Sequence, residues 1–317
     1  MKKHVMVGVA ALACSTGAVW AQSTVTIYGF VDQAFGKNIG SSTEGIFDST
    51  GSRLGFKGEE DLGGGLKASF LLEQRFSPDT GQSATPFFKG GSWVALGGNF
   101  GKVTLGRWWS QAFLKSQYAS DPFGMGTIAG VNFGTVGCGA AGGCAGAFWV
   151  DKSVTYEISG GGFSFGAQVA QAPEGRKHPF NFGISYDAGP LYLGFGHERH
   201  ESVFSAAGAG GDAEWSHATA NYDFGAVKLI TGFGTGKDNL GDKRRNVVVG
   251  FTAPMGQGVL IGQVNQHQAA GVTTVSQTSL GYQYYLSKRT KLFTTLSNDS
   301  KAASNKTGFD LGVLHSF

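Results

Sequence analysis

From Thr24 onward the chain alternates apolar and polar residues in segments of eight to twelve. Val25, Ile27 and Val31 alternate with Thr24, Thr26, Tyr28 and Asp32. Leu54 and Phe56 alternate with Arg53 and Lys57; Ala68, Phe70 and Leu72 alternate with Lys67, Ser69 and Glu73. Later, Val154, Tyr156 and Ile158 interleave with Ser153, Thr155 and Glu157, and Leu280, Tyr282, Tyr284 and Leu286 oppose Ser279, Gly281 and Gln283. Phe309, Leu311, Val313 and Phe317 share one phase at the end of the chain. A period of two places each set on one side of a sheet. The pattern predicts sixteen strands.

Alternation also fits a soluble sandwich, so the connections carry the decision. Every second one is tight: residues 60–65, 97–101, 159–162, 187–190, 223–226, 253–258 and 286–290. Those between are mostly longer and more polar: 37–50, 77–87, 110–148, 172–178, 200–212, 235–242, 268–272 and 298–306. One end of the sheet is trimmed and the other elaborated, the asymmetry of a transmembrane barrel with short periplasmic turns and long outer loops. In hydrocarbon an unpaired backbone N–H or C=O costs several kcal/mol, so a spanning sheet must close on itself. Sixteen strands leave a water-filled interior. The predicted fold is all-β, a 16-stranded antiparallel transmembrane β-barrel over residues 22–317.

Composition agrees. Glycine supplies 53 of 317 residues and aromatics 13%, 25 of them Phe. That much glycine opposes a helical core, at roughly 1 kcal/mol per helical position relative to Ala. The one long uncharged stretch, residues 122–150, has nine glycines among 29 residues and reads as a loop. Lys2 and Lys3 precede an apolar run over residues 5–14, and Val19 and Ala21 stand before Gln22. Residues 1–21 therefore read as a secretory signal peptide. Its removal leaves 23 basic and 22 acidic residues, a balance that gives no support for nucleic-acid binding.

Several runs carry a family resemblance: SRLGFKGEEDLGGGLKA from Ser52, VTIYG from Val25, NFGKVTLGR from Asn99, DPFG from Asp121 and YYLSKRT from Tyr284. With the terminal HSF they resemble, in order and spacing, the general-diffusion porins of Gram-negative outer membranes, of beta-proteobacterial type. The resemblance spans the mature chain. It implies a homotrimer of sixteen-stranded barrels in the outer membrane, each with its third loop folded into the pore. It also implies that Phe317 is the terminal aromatic read by the barrel-assembly machinery. Arg53 and Arg107 fall where the family carries its basic constriction cluster.

The residues themselves supply the rest of that site. Residues 110–148 form by far the longest connection and the candidate inward loop. Arg53 shares a face with Lys57, and folding about residues 60–65 brings Arg75 within about three residues of Arg53's level, roughly 10 Å. Arg107 shares its phase with the apolar Val103 and Leu105, unless Gly106 marks a bulge that redirects it. Lys89 is a further candidate from the fourth strand. The loop carries one acid, Asp121, and one base, Lys115, where the family usually has several acids; Trp149 occupies a position the family makes basic. An arginine-rich wall opposite an acid-poor loop predicts anion preference, with a dicarboxylate- or phosphate-preferring porin as the alternative and a non-conducting adhesive barrel as the rival.

Cys138 and Cys144, with five residues between them, read as a disulfide in an oxidising compartment. Zinc lacks the further ligands it needs nearby, and two free thiols stay open. The basic segment 237–245 sits on the outside, either against lipopolysaccharide or as a solvated loop. Enzymatic signals fail: GFGTGK from Gly232 has the wrong glycine spacing for a phosphate loop, and no Gly-x-Ser-x-Gly elbow surrounds a plausible nucleophile. No cofactor or metal is expected, and transport of small hydrophilic solutes should be passive.

Overall fold

The computed structural model describes residues 24–130, 132–138, 144–172, 174, 177–201 and 212–317. The predicted signal peptide, residues 1–21, lies outside them. Sixteen long strands are present among the described residues: β1 (Thr24–Lys37), β2 (Arg53–Gly63), β3 (Leu66–Ser77), β4 (Gly91–Gly98), β5 (Gly101–Trp109), β6 (Trp149–Gly160), β7 (Phe163–Ala170) and β8 (Phe180–Ala188), then β9 (Leu191–Glu201), β10 (Asp212–Asp223), β11 (Lys228–Lys237), β12 (Lys243–Met255), β13 (Gly258–Ala269), β14 (Val272–Tyr285), β15 (Thr290–Asp299) and β16 (Thr307–Ser316). Two short segments, Gly45–Phe47 and Gln82–Ser83, pair with the ends of β1 and β3 inside the first and second outer loops.

Each long strand pairs antiparallel with the next, and β16 pairs back to β1 from Phe30↔Ser316 to Lys37↔Phe309. The lower half of β1, Thr24 to Phe30, pairs with β2. Closure thus uses one strand twice, its upper half for the last strand and its lower half for the second. The ring has no edge, which is what a sheet in hydrocarbon requires. At one end the connections are two to four residues, as at 64–65, 161–162 and 286–289. Gly161 and Gly162 make such a turn with φ of 61° and 84°, values that favour glycine. At the other end the connections are generally longer, with one correction to the sequence expectation: β13 and β14 are joined by residues 270–271 alone. Their polar flanks, read above as loop, continue as strand.

The outward positions form an exposed apolar band. Leu193, Phe195, Phe233, Val249, Val264 and Leu280 are all at least 40% exposed. Inward positions are polar and covered: Gln168, Asn181, Asn246, Asn265, Gln277 and Ser297 are buried. A soluble protein would reverse this arrangement. The apolar packing that remains lies inside the tube, where Phe113, Val136, Cys138, Cys144 and Phe148 cluster with Trp109, Leu114 and Trp149.

That inner cluster centres on the long third loop, residues 110–148, whose described residues run along the inside of the wall. Its Gln111 amide donates to Asn181 on β8 at 2.8 Å, and Tyr192 on β9 donates to the Lys115 carbonyl at 2.8 Å. Asn221 on β10 donates to the Ala119 carbonyl at 2.7 Å. Further along, Gln277 on β14 donates to the Ile128 carbonyl, and the Ile128 amide donates to Asp310 on β16 at 3.0 Å. The loop returns through Ala147, whose amide donates to Glu198. Among the described residues of this stretch the helical elements are short turns at Phe113–Gln117, Tyr118–Ser120 and Asn132–Thr135. Cys138 and Cys144 are disulfide-bonded, with 3.8 Å between their Cα atoms.

Glycine makes the seat. A Cβ on Gly194 would fall 2.1 Å from the Lys115 carbonyl oxygen, and one on Gly183 would fall 2.3 Å from that of Gln111. Gly194→Val should therefore cost about 1–3 kcal/mol of loop seating and raise single-channel conductance, whereas Gly160→Ala, with nothing within 4 Å, should leave it unchanged. The lipid-facing band generates a second expectation: Leu280→Arg should destabilise the barrel by ~2–4 kcal/mol near mid-membrane, measured by denaturant unfolding from vesicles. An unaltered midpoint would place Leu280 away from lipid.

Candidate functional site

The candidate site lies on the inner faces of β2, β3 and β5, beside the start of the third loop. Its geometry begins with register. Arg53 and Arg75 are direct cross-strand partners, closer in level than the sequence estimate of about three residues. Like charges placed opposite each other repel, so something must hold them. Glu73 does, accepting from Arg75 Nε at 2.9 Å, lying 2.9 Å from Arg75 Nη2 and 4.0 Å from Arg53 Nη1. Tyr28 on β1 donates to the other Glu73 oxygen at 2.9 Å. Both arginines also donate to the Gly51 carbonyl at the rim of the first loop.

Aromatic rings complete this wall. Arg53 lies 4.3 Å from the centroid of the Phe30 ring. Arg75 sits over Trp109 and Trp149 at 5.8 and 6.0 Å, and Arg107 over Trp149 at 5.5 Å. Trp109 stacks on Phe113 of the loop with centroids 4.9 Å apart, and packs on Trp149 at 4.4 Å. Aromatic pairs of this kind contribute about 0.5–1.5 kcal/mol beyond area burial, which fixes the start of the loop against the cationic wall. Tyr118, next along the loop, is 49% exposed, and its ring lies 5.9 Å from that of Phe113.

Arg107 reaches the wall through the bulge that its glycine predicts. Gly106 has φ of 136°, and the β5–β6 register shifts between Gly106 and Trp108. The guanidinium donates to the Lys89 carbonyl at 3.0 Å and pairs with Asp151. Lys89 itself precedes β4 rather than lying within it, and it contributes this carbonyl. Lys57 is exposed on the same inner face, its ammonium 5.2 Å from the Tyr28 ring centroid. Asp121 departs from the expected role. Its carboxylate is buried and accepts from the Phe123 and Met125 amides, so it shapes the loop's own turn.

The charge that the sequence placed at the constriction is therefore unevenly paired. Arg75 has Glu73 and Arg107 has Asp151, while Arg53 keeps only the 4.0 Å approach to Glu73. Sequence reasoning missed Asp151 as a partner, and missed the aromatic stack as the loop's fastening. It also missed Glu198, buried behind the loop, which accepts from Gln117 Nε2 at 2.6 Å, from Ser110 Oγ at 3.2 Å and from the Ala147 amide. The signal for Glu198 was available: it shares the inward phase of β9 with Gly194 and Gly196. Among the described residues, no group of His, Cys, Asp and Glu is arranged to hold a metal ion.

A closed ring, an apolar belt outside, and a cation-lined passage narrowed by an inward loop describe a diffusion channel. Comparison with known proteins agrees. The sequence model of the Gram-negative porin family matches residues 8–303. Outer membrane porin protein 32 of Delftia acidovorans is 32% identical over the full length of both chains. An outer membrane porin protein of Bordetella pertussis is 27% identical, over 99% of this chain and all of its own. Among solved structures, the anion-selective porin from Comamonas acidovorans superposes with a TM-score of 0.79 at 28% identity, covering 93% of this chain and all of that one. Full-length coverage by sequence, together with the same ring and inward loop, means that the chain belongs to the Gram-negative porin family and forms a diffusion channel in the bacterial outer membrane.

Proposed function

We propose that the channel prefers anions and that Arg53 contributes most to that preference. The observation that carries this reading is the unequal pairing of the wall: Arg53, Lys57, Arg75 and Arg107 meet two close acids, and Arg53 is the arginine left farthest from either. A cation in a narrow passage with low-dielectric walls acts on passing ions far more strongly than one in open water. The loop opposite does not cancel it, since residues 110–148 carry one acid, Asp121, against one base, Lys115. The solved Comamonas porin carries the description anion-selective, which supports the same reading here. Arg53 and Arg75, direct cross-strand partners, put two guanidinium groups at one level of the wall, an arrangement in keeping with small dianions such as dicarboxylates or phosphate among the anions admitted. In this reading transport is passive, and no catalytic step is involved.

We also assign the chain to a homotrimer that works among lipopolysaccharide, with residues 1–21 removed on export and Phe317 read during assembly. Phe317 is tied into the closing strand, exchanging backbone hydrogen bonds with Gly29 at 3.1 and 3.3 Å. Reversal potentials across a salt gradient test the selectivity. The wild type should favour chloride over potassium, and Arg53→Gln should lower the permeability ratio roughly two- to fivefold. Arg107→Gln should do less. Glu73→Gln should raise the ratio by freeing Arg75. A cation-preferring wild type would reject the reading, and an Arg53→Gln channel identical to wild type would remove that residue from its centre.

A further inference from the structure

Side chains of the third loop divide by the side they face. Ser116, Gln117 and Ser120 are buried toward the wall. Ser116 donates to the His217 carbonyl at 2.9 Å, Gln117 reaches Glu198, and Ser120 Oγ lies 3.5 Å from His217 Nε2. Tyr118, between them, turns away from the wall and is half exposed. On the outside of a soluble protein an exposed tyrosine would be ordinary. This loop lies inside the tube, so the ring meets the passage itself. It leans on Phe113, and its hydroxyl oxygen would lie 3.9 Å from a Cβ on Gly124.

Two routes of contact tie that ring to the cationic wall. Along one, Phe113 stacks on Trp109, and Trp109 carries Arg75 over its face. Along the other, Gly126 packs so closely on the Thr50 side chain that a Cβ there would collide, and the Thr127 amide donates to the Ser49 carbonyl at 3.1 Å. Gly51, next after Thr50, accepts from both Arg53 and Arg75. The two guanidinium groups differ in what they leave free. Arg75 directs Nε and Nη2 at Glu73 and Nη1 at Gly51. Phe30 covers one face of Arg53, whose one hydrogen bond among the described residues runs from Nε to Gly51. The Nη edge of Arg53 is therefore the open donor of the pair. An open guanidinium edge on the same wall as an open aromatic ring fits a solute with one carboxylate and one ring.

We propose that the passage holds aromatic monocarboxylates, anions of the benzoate class, with the carboxylate on the Nη edge of Arg53 and the ring stacked with an offset on Tyr118. This rests on the anion-preferring reading above and names a solute class for the same wall. Both contacts are needed. A guanidinium edge alone makes charge-assisted hydrogen bonds with any organic acid. The tyrosine supplies the discrimination, because an offset aromatic pair gains more than burial of the same area gives. An aromatic acid therefore outranks a saturated one of equal charge and similar bulk. Two contacts of this size also let the solute leave again, as conduction requires.

The test titrates chloride current through the purified full-length channel in a planar bilayer at neutral pH. The probes are benzoate and cyclohexanecarboxylate, and the reversal potential is read in the same membrane. Benzoate should halve the chloride current at a concentration roughly two- to tenfold lower than cyclohexanecarboxylate. Tyr118→Leu should abolish that difference, and Tyr118→Phe should retain it. Arg53→Gln should raise the concentration needed of both acids. Equal potency of the two acids in a chloride-preferring wild type would overturn this inference alone. A Tyr118→Leu channel that still separates them would overturn it too. A cation-preferring wild type would instead overturn the anion reading on which it rests. Should Tyr118→Leu fail to insert, the wild-type comparison decides.

Discussion

Backbone hydrogen bonding in a solvent that offers none is the constraint from which the rest follows. Hydrocarbon leaves an open sheet edge unsatisfied along its whole length, so the sheet must return to its first strand. Here β1 makes that return possible by dividing its pairing, the upper half with β16 and the lower half with β2. Phe317 completes the junction through its bonds to Gly29. Once the ring is closed, side-chain alternation sorts itself. One phase must suit lipid, and the other is free to be polar because it faces water or the inward loop.

The inward loop is the second consequence. A ring of sixteen strands encloses more space than its own side chains fill, and the third loop occupies part of it asymmetrically. It packs on glycines and buried polar groups of β8 to β11, and fastens to the opposite wall by the stack of Trp109, Trp149 and Phe113. The arginines lie beside that stack. Their positions are thus set by packing between aromatic rings as much as by pairing with acids, and the aromatic rings supply both rigidity and low-dielectric walls. The inward loop and the charged wall are held by the same contacts.

Much of this was legible in the chain because strand period is a strong signal when one face is apolar throughout. The sixteen strands, the trimmed and elaborated ends and the inward loop all came from alternation, connection length and family resemblance. Arg53, Arg75 and Lys57 were placed on one inner face by parity alone. Gly106 announced its bulge. What escaped was anything decided by loop backbone. Asp121 looked like a free acid, but its oxygens cap a turn that no periodicity reveals. Lys89 was read one element too late, because the fourth strand begins only at Gly91. The polar flanks around residues 270–271 looked like loop because strands that extend beyond the bilayer carry polar residues on both faces. The partnership of Arg107 with Asp151 depends on a bulge that alters both strands, so counting residues cannot supply it.

The account stands or falls on a conducting lumen. Purified protein added to a planar lipid bilayer should produce discrete, long-lived current steps whose size rises in proportion to bulk salt concentration, as expected of a wide aqueous passage. A bilayer that stays silent after verified insertion would contradict it, as would steps that saturate at low salt like those of a dehydrated filter.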